Sequence, residues 1–124
     1  MHKKLLESGE YQYGTYKVQP VEWADGDWQG SGLWLRAMVT NRRLLLLPEK
    51  SIQSLQNQSI RAAEIARVWN VCLQGKDGIM VQYRDGSRIY LLVDWSQGGK
   101  LAKDLNTMLQ PLPKPRIMPR LLPN

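Results

Sequence analysis

The sequence is poor in the residues that most often carry catalysis. Its 124 residues include one Cys, one His and no Phe. Cys72 has no partner for an internal disulfide, and it alternates into an apolar segment as a small buried residue would. A Cys–His pair would need His2 of the terminus to reach that segment, and no His, Cys and Asp cluster has metal-site spacing. We therefore predict no catalytic residue, no metal, no cofactor and no enzymatic activity.

Long apolar runs are also missing. The longest is residues 44–47, far short of the roughly 18 residues that a membrane-spanning helix needs. The basic start of the chain is not followed by the apolar core of a signal peptide. The sequence predicts a cytoplasmic protein, with attachment at the membrane periphery as an alternative.

Positive charge is unevenly distributed. Half of the net charge of +6 lies in residues 110–124, which contain Lys114, Arg116 and Arg120, five prolines and no acid. We predict a domain over residues 1–110 and a Pro-rich basic tail over 111–124, which either docks in extended form or is a disordered end. The mildly basic body is compatible with an anionic membrane surface and argues against nucleic acid as a partner.

Apolar–polar alternation predicts strands through most of the domain. We expect strands at residues 10–21, 33–40, 43–47, 67–74, 79–84 and 88–93. Residues 60–66 fit either a helix or a seventh short strand, and residues 22–32 and 49–59 are predicted loops. Turns are expected at Thr40-Asn41-Arg42, Lys76-Asp77-Gly78 and Asp85-Gly86, since Asp-Gly favours tight hairpins.

The chain then changes to helical periodicity. Leu101, Leu105, Met108 and Leu109 form one apolar stripe, which predicts a helix over 96–109 with Ser96 as its N-cap. Strands joined by short turns and followed by one helix exclude a parallel sheet. The expected fold is mainly β: a bent seven-stranded antiparallel sandwich or barrel capped by one C-terminal α-helix.

The segment Leu-Arg-Ala-Met-Val-Thr-Asn-Arg-Arg-Leu-Leu-Leu-Leu, residues 35–47, resembles the Thr-Asn-x-Arg-Leu signature of GRAM domains and bacterial pleckstrin-homology (PH)-like domains. The late hairpin and helix follow in the same order, so the resemblance covers residues 5–110. It implies the PH-like superfold, whose members mostly bind lipids, peptides or proteins. The first loop carries Glu22, Asp25 and Asp27 where phosphoinositide-binding members carry bases, which argues against an inositol phosphate ligand.

Two candidate sites follow. Arg42, Arg43 and Lys50 flank one strand and are predicted to bind an anionic ligand; alternatively, Arg42 pairs with a carboxylate or carbonyl to fix the turn. Trp23 and Trp28 are predicted to contact a partner; alternatively, they fold back over the barrel mouth.

We therefore predict a non-enzymatic binding or adaptor module for a protein or peptide. The alternative is a peripheral membrane module that binds anionic lipid headgroups through basic residues. Exposed Trp and an apolar tail would also permit a homo-oligomer.

Overall fold

The structure is a computed structural model that describes residues 5–48 and 57–110. It contains eight strands, two short 3-10 turns at Ala62–Glu64 and Asp94–Ser96, and one helix. The strands are β1 (Gln12–Ala24), β2 (Asp27–Gly30), β3 (Leu35–Thr40), β4 (Arg43–Pro48), β5 (Gln58–Arg61), β6 (Ile65–Leu73), β7 (Lys76–Tyr83) and β8 (Arg88–Val93). The helix is α1 (Gly98–Leu109).

All strand pairs are antiparallel, in the order β5-β4-β3-β1-β8-β7-β6, with β2 paired to β1 beside this path. The mainly β fold with one C-terminal helix is confirmed. The strand number was wrong by one, because β2 lies in the segment predicted to be a loop. Residues 60–66 divide between the end of β5, a 3-10 turn and the start of β6.

The added strand arises from a tight turn at Asp25-Gly26. Both residues have positive φ, 55° and 77°, as the two central residues of a type I′ hairpin require. The turn pairs Trp23 with Trp28 across the two strands. The glycines and aspartates of this segment were correctly taken as turn formers, but the turn needs only two of them.

A second predicted turn lies elsewhere. The β6–β7 hairpin turns at Gln74-Gly75, with φ of 55° and 76°, instead of at residues 76–78. Gly78 is a buried strand residue, where a Cβ would lie 2.6 Å from the Leu73 side chain and 2.7 Å from the Leu91 carbonyl oxygen. Its glycine therefore serves close packing. The predicted turn at Asp85-Gly86 is confirmed.

The helix begins two residues later than predicted. Ser96 has a φ of 54° and does not cap it. Instead the Asp77 carboxylate accepts a hydrogen bond from the Gly98 amide at 2.6 Å. A carboxylate at a helix N-terminus is favourable because the first amides lack intrahelical partners.

The core lies between the helix and one face of the curved sheet. Leu101, Leu105 and Met108 of α1 pack with strand residues that include Val18 and Ile79. We call this face of the sheet the inner face. Because side chains alternate along a strand, the residues between the core positions form the opposite, outer face. The Tyr16 hydroxyl also donates to Asp104 of α1. The outer face is the surface that the helix leaves uncovered.

Candidate functional site

The Thr-Asn-Arg-Arg turn forms a buried polar network. Thr40 is fully buried, and its hydroxyl oxygen accepts from the backbone amides of Arg42 and Arg43, each at 3.1 Å. The same hydroxyl donates to the Glu10 carboxylate at 2.6 Å. Thr40 therefore fixes the turn and joins it to the segment that precedes β1.

Asn41 adds a second connection to that segment. Its side-chain oxygen accepts from the Tyr11 amide at 2.9 Å, and its backbone amide donates to the Tyr11 carbonyl at 3.1 Å. Its side-chain nitrogen donates to the Gly9 carbonyl at 3.4 Å. The signature residues thus bind this chain's own N-terminal segment.

Arg43 forms the most buried ion pair of the described residues. Its guanidinium donates to both oxygens of Glu10, through Nε at 2.8 Å and Nη2 at 2.9 Å. The Glu10 side chain is completely buried. Hydrogen bonds from Arg43 and Thr40 outweigh the effect of burial and lower the pKa of Glu10 to about 2. Glu10 is therefore ionised, and Arg43 neutralises it.

Arg42 is also engaged. Its Nη1 lies 3.2 Å from Glu7, which pairs with Arg61 as well. Arg61, followed by Arg42, lowers the pKa of Glu7. The contacts thus match the alternative in which these arginines pair with carboxylates. Lys50 lies outside the described residues. Anionic ligand binding by Arg42, Arg43 and Lys50 stays a prediction, and a ligand would compete with Glu7 and Glu10.

The two candidate tryptophans form an exposed aromatic cluster. Trp23 of β1 is 58% exposed and meets Trp28 of β2 edge to face, with ring centroids 5.3 Å apart. Trp28 in turn lies 4.6 Å from the ring of Tyr90 in β8. The rings stand on the outer face, beside a groove of about 570 Å³ lined by the β1–β2 hairpin and residues 88–90. The hairpin therefore presents them at the surface.

A further tryptophan belongs to this surface. Trp69 of β6 is 44% exposed and stands opposite Met80, which stands opposite Tyr90. The Arg67 guanidinium lies over the Trp69 ring, 5.6 Å from its centroid. The sequence indicated only a strand residue at this position. The sequence does not show which face of β6 lies outside. The alternation of Val68 with Trp69 was the only indication that Trp69 faces away from the core.

The residues considered for catalysis are Cys72 and His2. Cys72 is exposed and not buried as predicted. It shares the inner face with Val68 but stands opposite Asp77 at the hairpin end of β6. His2 lies outside the described residues. Across residues 5–48 and 57–110, no group of three or more His, Cys, Asp or Glu side chains could hold a metal ion. No helix of the same ranges is long and apolar enough to cross a membrane.

Comparison with known proteins defines the class of fold. No family model and no curated protein matches the sequence. Among solved structures, the C-terminal domain of an unknown protein from Leishmania infantum is similar with a TM-score of 0.61 and 16% identity, over 83% of this chain and 88% of that one.

The second similar structure contains the DH/PH domains of p115-RhoGEF. It aligns with a TM-score of 0.58 and 11% identity, over 86% of this chain and 32% of that one. This chain therefore spans about a third of the p115-RhoGEF chain. Identities this low show the fold alone, and the fold is PH-like.

Proposed function

We propose that this domain is a non-enzymatic binding module that takes a protein or peptide partner on its outer face. The observation that carries the proposal is the surface cluster in which exposed Trp23 packs with half-buried Trp28 and Tyr90. Tryptophan and tyrosine are the residues most often found at the energetic centres of protein interfaces. They also supply large apolar area with little rotamer entropy to lose on binding.

The surroundings of the cluster support a partner. The groove beside it is open along the β1–β2 hairpin and β8. Arg88 lines that groove, and Trp69 extends the aromatic surface onto β6. A patch that combines aromatic anchors with arginine has the composition of an interface core.

The PH-like fold is compatible with this function without specifying it. We also propose a relationship to GRAM and bacterial PH-like domains, on the resemblance of residues 35–47, and a cytoplasmic location, as expected from the sequence. The lipid alternative has less support, because Arg42 and Arg43 are held by Glu7 and Glu10.

Photo-crosslinking tests the proposal directly. A benzoyl-phenylalanine placed at position 82 would lie on the outer face, since Gln82 stands opposite both Arg67 and Arg88. The matched control carries the same group at position 103, where Lys103 is exposed on α1. After irradiation in cells, we expect a discrete protein adduct from position 82 only, and its loss in the Trp23→Ala variant.

Vesicle co-sedimentation tests the membrane alternative. The full chain is mixed with vesicles of phosphatidylcholine alone or with phosphatidylserine. Salt-sensitive binding to the anionic vesicles, together with the absence of a protein adduct, would replace the proposal with the membrane alternative.

A further inference from the structure

Charge is segregated between the two faces of the described strands. Seven basic residues lie in these strands, and the pairing register puts all of them on the outer face. They are Lys17, Arg36, Arg43, Arg61, Arg67, Lys76 and Arg88. The three strand acids, Glu22, Asp27 and Asp77, alternate with outer positions and so face the other way. The outer face of the strands therefore carries bases and no acid.

Only part of this charge is neutralised within the described chain. Of the seven strand bases, Arg43 pairs with Glu10 and Arg61 pairs with Glu7. Lys17, Arg36, Arg67, Lys76 and Arg88 take part in no ion pair of the described residues. Five bases of the outer face are thus left without a carboxylate from the described residues. Arg67 and Arg88 lie at one end of their strands, and Lys17, Arg36 and Lys76 lie toward the other.

An apolar and aromatic row runs between these bases. Trp69, Met80, Tyr90 and Val21 stand directly opposite one another on β6, β7, β8 and β1. Met80 and Val21 are buried, so the rings of Trp69 and Tyr90 are the accessible members of the row. At a strand spacing of about 4.8 Å, the row extends roughly 14 Å, the length of about four residues of extended chain. One neighbouring row contains Arg67, Gln82 and Arg88, and the other contains Val71, Gly78 and Leu92.

We propose that this aromatic–basic outer face binds an acidic segment of a partner protein, with apolar side chains on the accessible rings of the row and carboxylates on Arg67 and Arg88 beside it. The inference rests on the proposed function and specifies the chemistry of its partner. Arginine clusters recognise acidic motifs because guanidinium–carboxylate hydrogen bonds are charge-assisted and often bidentate.

The geometry favours this partner over nucleic acid. A stacked base needs a free ring face. Here Arg67 lies over Trp69 at 5.6 Å, and Lys17 lies over the ring of Trp34 at 5.5 Å. Trp23 and Trp28 meet at an interplanar angle of 76°, so one ring edge is directed at the other ring. A base would have to displace these neighbours.

Two other occupants are disfavoured by charge. A second copy docked through the same face would bring five like charges against five more, which is unfavourable at close range. An anionic membrane would meet Asp25 and Asp27 at the tip of the hairpin that carries Trp23. A separate acidic chain avoids the first conflict, and a short one can lie along the row on β6, β7 and β8 without reaching the hairpin tip.

Selection from a displayed library of random 16-residue peptides tests the chemistry without a known ligand. The full chain is the bait, and the Trp23→Ala/Trp69→Ala variant is used to discard peptides that bind elsewhere. We expect the Trp-dependent peptides to be enriched in Asp and Glu and to contain aromatic or aliphatic residues. Their affinity should fall about tenfold between 50 mM and 500 mM NaCl.

Matched variants test which basic residues contact the acidic peptide. Arg67→Gln/Arg88→Gln should weaken a selected acidic peptide about tenfold, whereas Arg84→Gln, outside the strands, should change its affinity less than twofold. A 20-residue oligothymidine and phosphatidylserine vesicles are measured in parallel. Trp69-dependent binding of either, tighter than that of the peptides, would overturn the inference.

The remaining outcomes separate this inference from the proposed function. Trp-dependent peptides without acidic enrichment would overturn the acidic partner and leave a protein-binding outer face. Failure to recover any Trp-dependent peptide, together with no adduct from position 82, would overturn both.

Discussion

The arginines at the Thr-Asn-Arg-Arg turn and the arginines of β6 and β8 lie on one continuous sheet face, but their surroundings differ. Arg43 has only 12% of its side chain exposed and holds both oxygens of a buried glutamate. Arg67 and Arg88 are exposed; Arg67 lies over the Trp69 ring, and Arg88 lines the groove with Trp23 and Tyr90. The first group holds the N-terminal segment on the fold. The second leaves its charge on the surface, where a partner can use it.

The comparison shows that a basic residue in a recognisable motif need not belong to a ligand site. The motif bases have the better sequence signature, yet Glu7 and Glu10 already satisfy them. A buried charge without a partner is costly, so this pairing is a structural requirement. Function is better sought where bases and aromatics have been left without such partners.

Removal of Arg43 should have the largest effect on stability. Arg43→Ala would leave the Glu10 carboxylate buried and without its main partner, which typically costs about 3–5 kcal/mol. Urea unfolding followed by Trp fluorescence measures the loss. Arg36→Ala, an exposed outer-face control, should change the free energy of unfolding by about 0.5 kcal/mol or less. Equal losses in the two variants would contradict the structural role of Arg43.

Low pH should destabilise the protein through the Glu10–Arg43 pair. The pKa of Glu10 is about 2 in the folded protein and 4.5 as its ordinary value. Its contribution to stability is therefore complete above pH 4.5 and is lost as the pH falls toward 2. The loss amounts to up to about 3 kcal/mol by linkage.

Unfolding free energies at pH 6, 4 and 3 measure this contribution. The Glu10→Gln variant, which has no carboxyl group to titrate, should lose less stability over the same range although it starts lower. Parallel curves for wild type and variant would show that Glu10 is not responsible.

The sequence was sufficient for the class of fold because alternation and helical periodicity are local signals. The hairpin of β1 and β2 was missed because Trp23 and Trp28 stand in a segment rich in Gly and Asp, whose composition resembles a loop. The pairing of Arg43 with Glu10 could not be predicted, since 33 positions separate the two residues along the chain. Trp69 was overlooked for a similar reason: only the strand order and the place of the helix decide which face is outside.

The tryptophans should matter less to stability than to binding. Trp23→Ala and Trp69→Ala remove partly exposed rings, so each should cost about 1 kcal/mol or less in unfolding free energy. Each should weaken a selected partner peptide at least tenfold, as loss of an interface anchor does. Tyr11→Ala is the matched control, because Tyr11 is 56% exposed, close to the 58% of Trp23, but lies near the Arg43 network. Fluorescence titration with the peptide measures the affinity of each variant. An equal loss of binding in the Tyr11 variant would place the partner elsewhere.

The smallest effect on the fold should come from the outer-face bases. Arg67→Gln/Arg88→Gln should change the free energy of unfolding by about 0.5 kcal/mol or less, because neither residue pairs with a carboxylate among the described residues. The pH dependence of unfolding between pH 3 and 6 should match that of wild type, since Glu10 and Arg43 are intact. Urea unfolding at each pH provides the measurement. A loss comparable to that of Arg43→Ala would mean that these bases are structural as well, and the distinction between the two groups of arginines would then disappear.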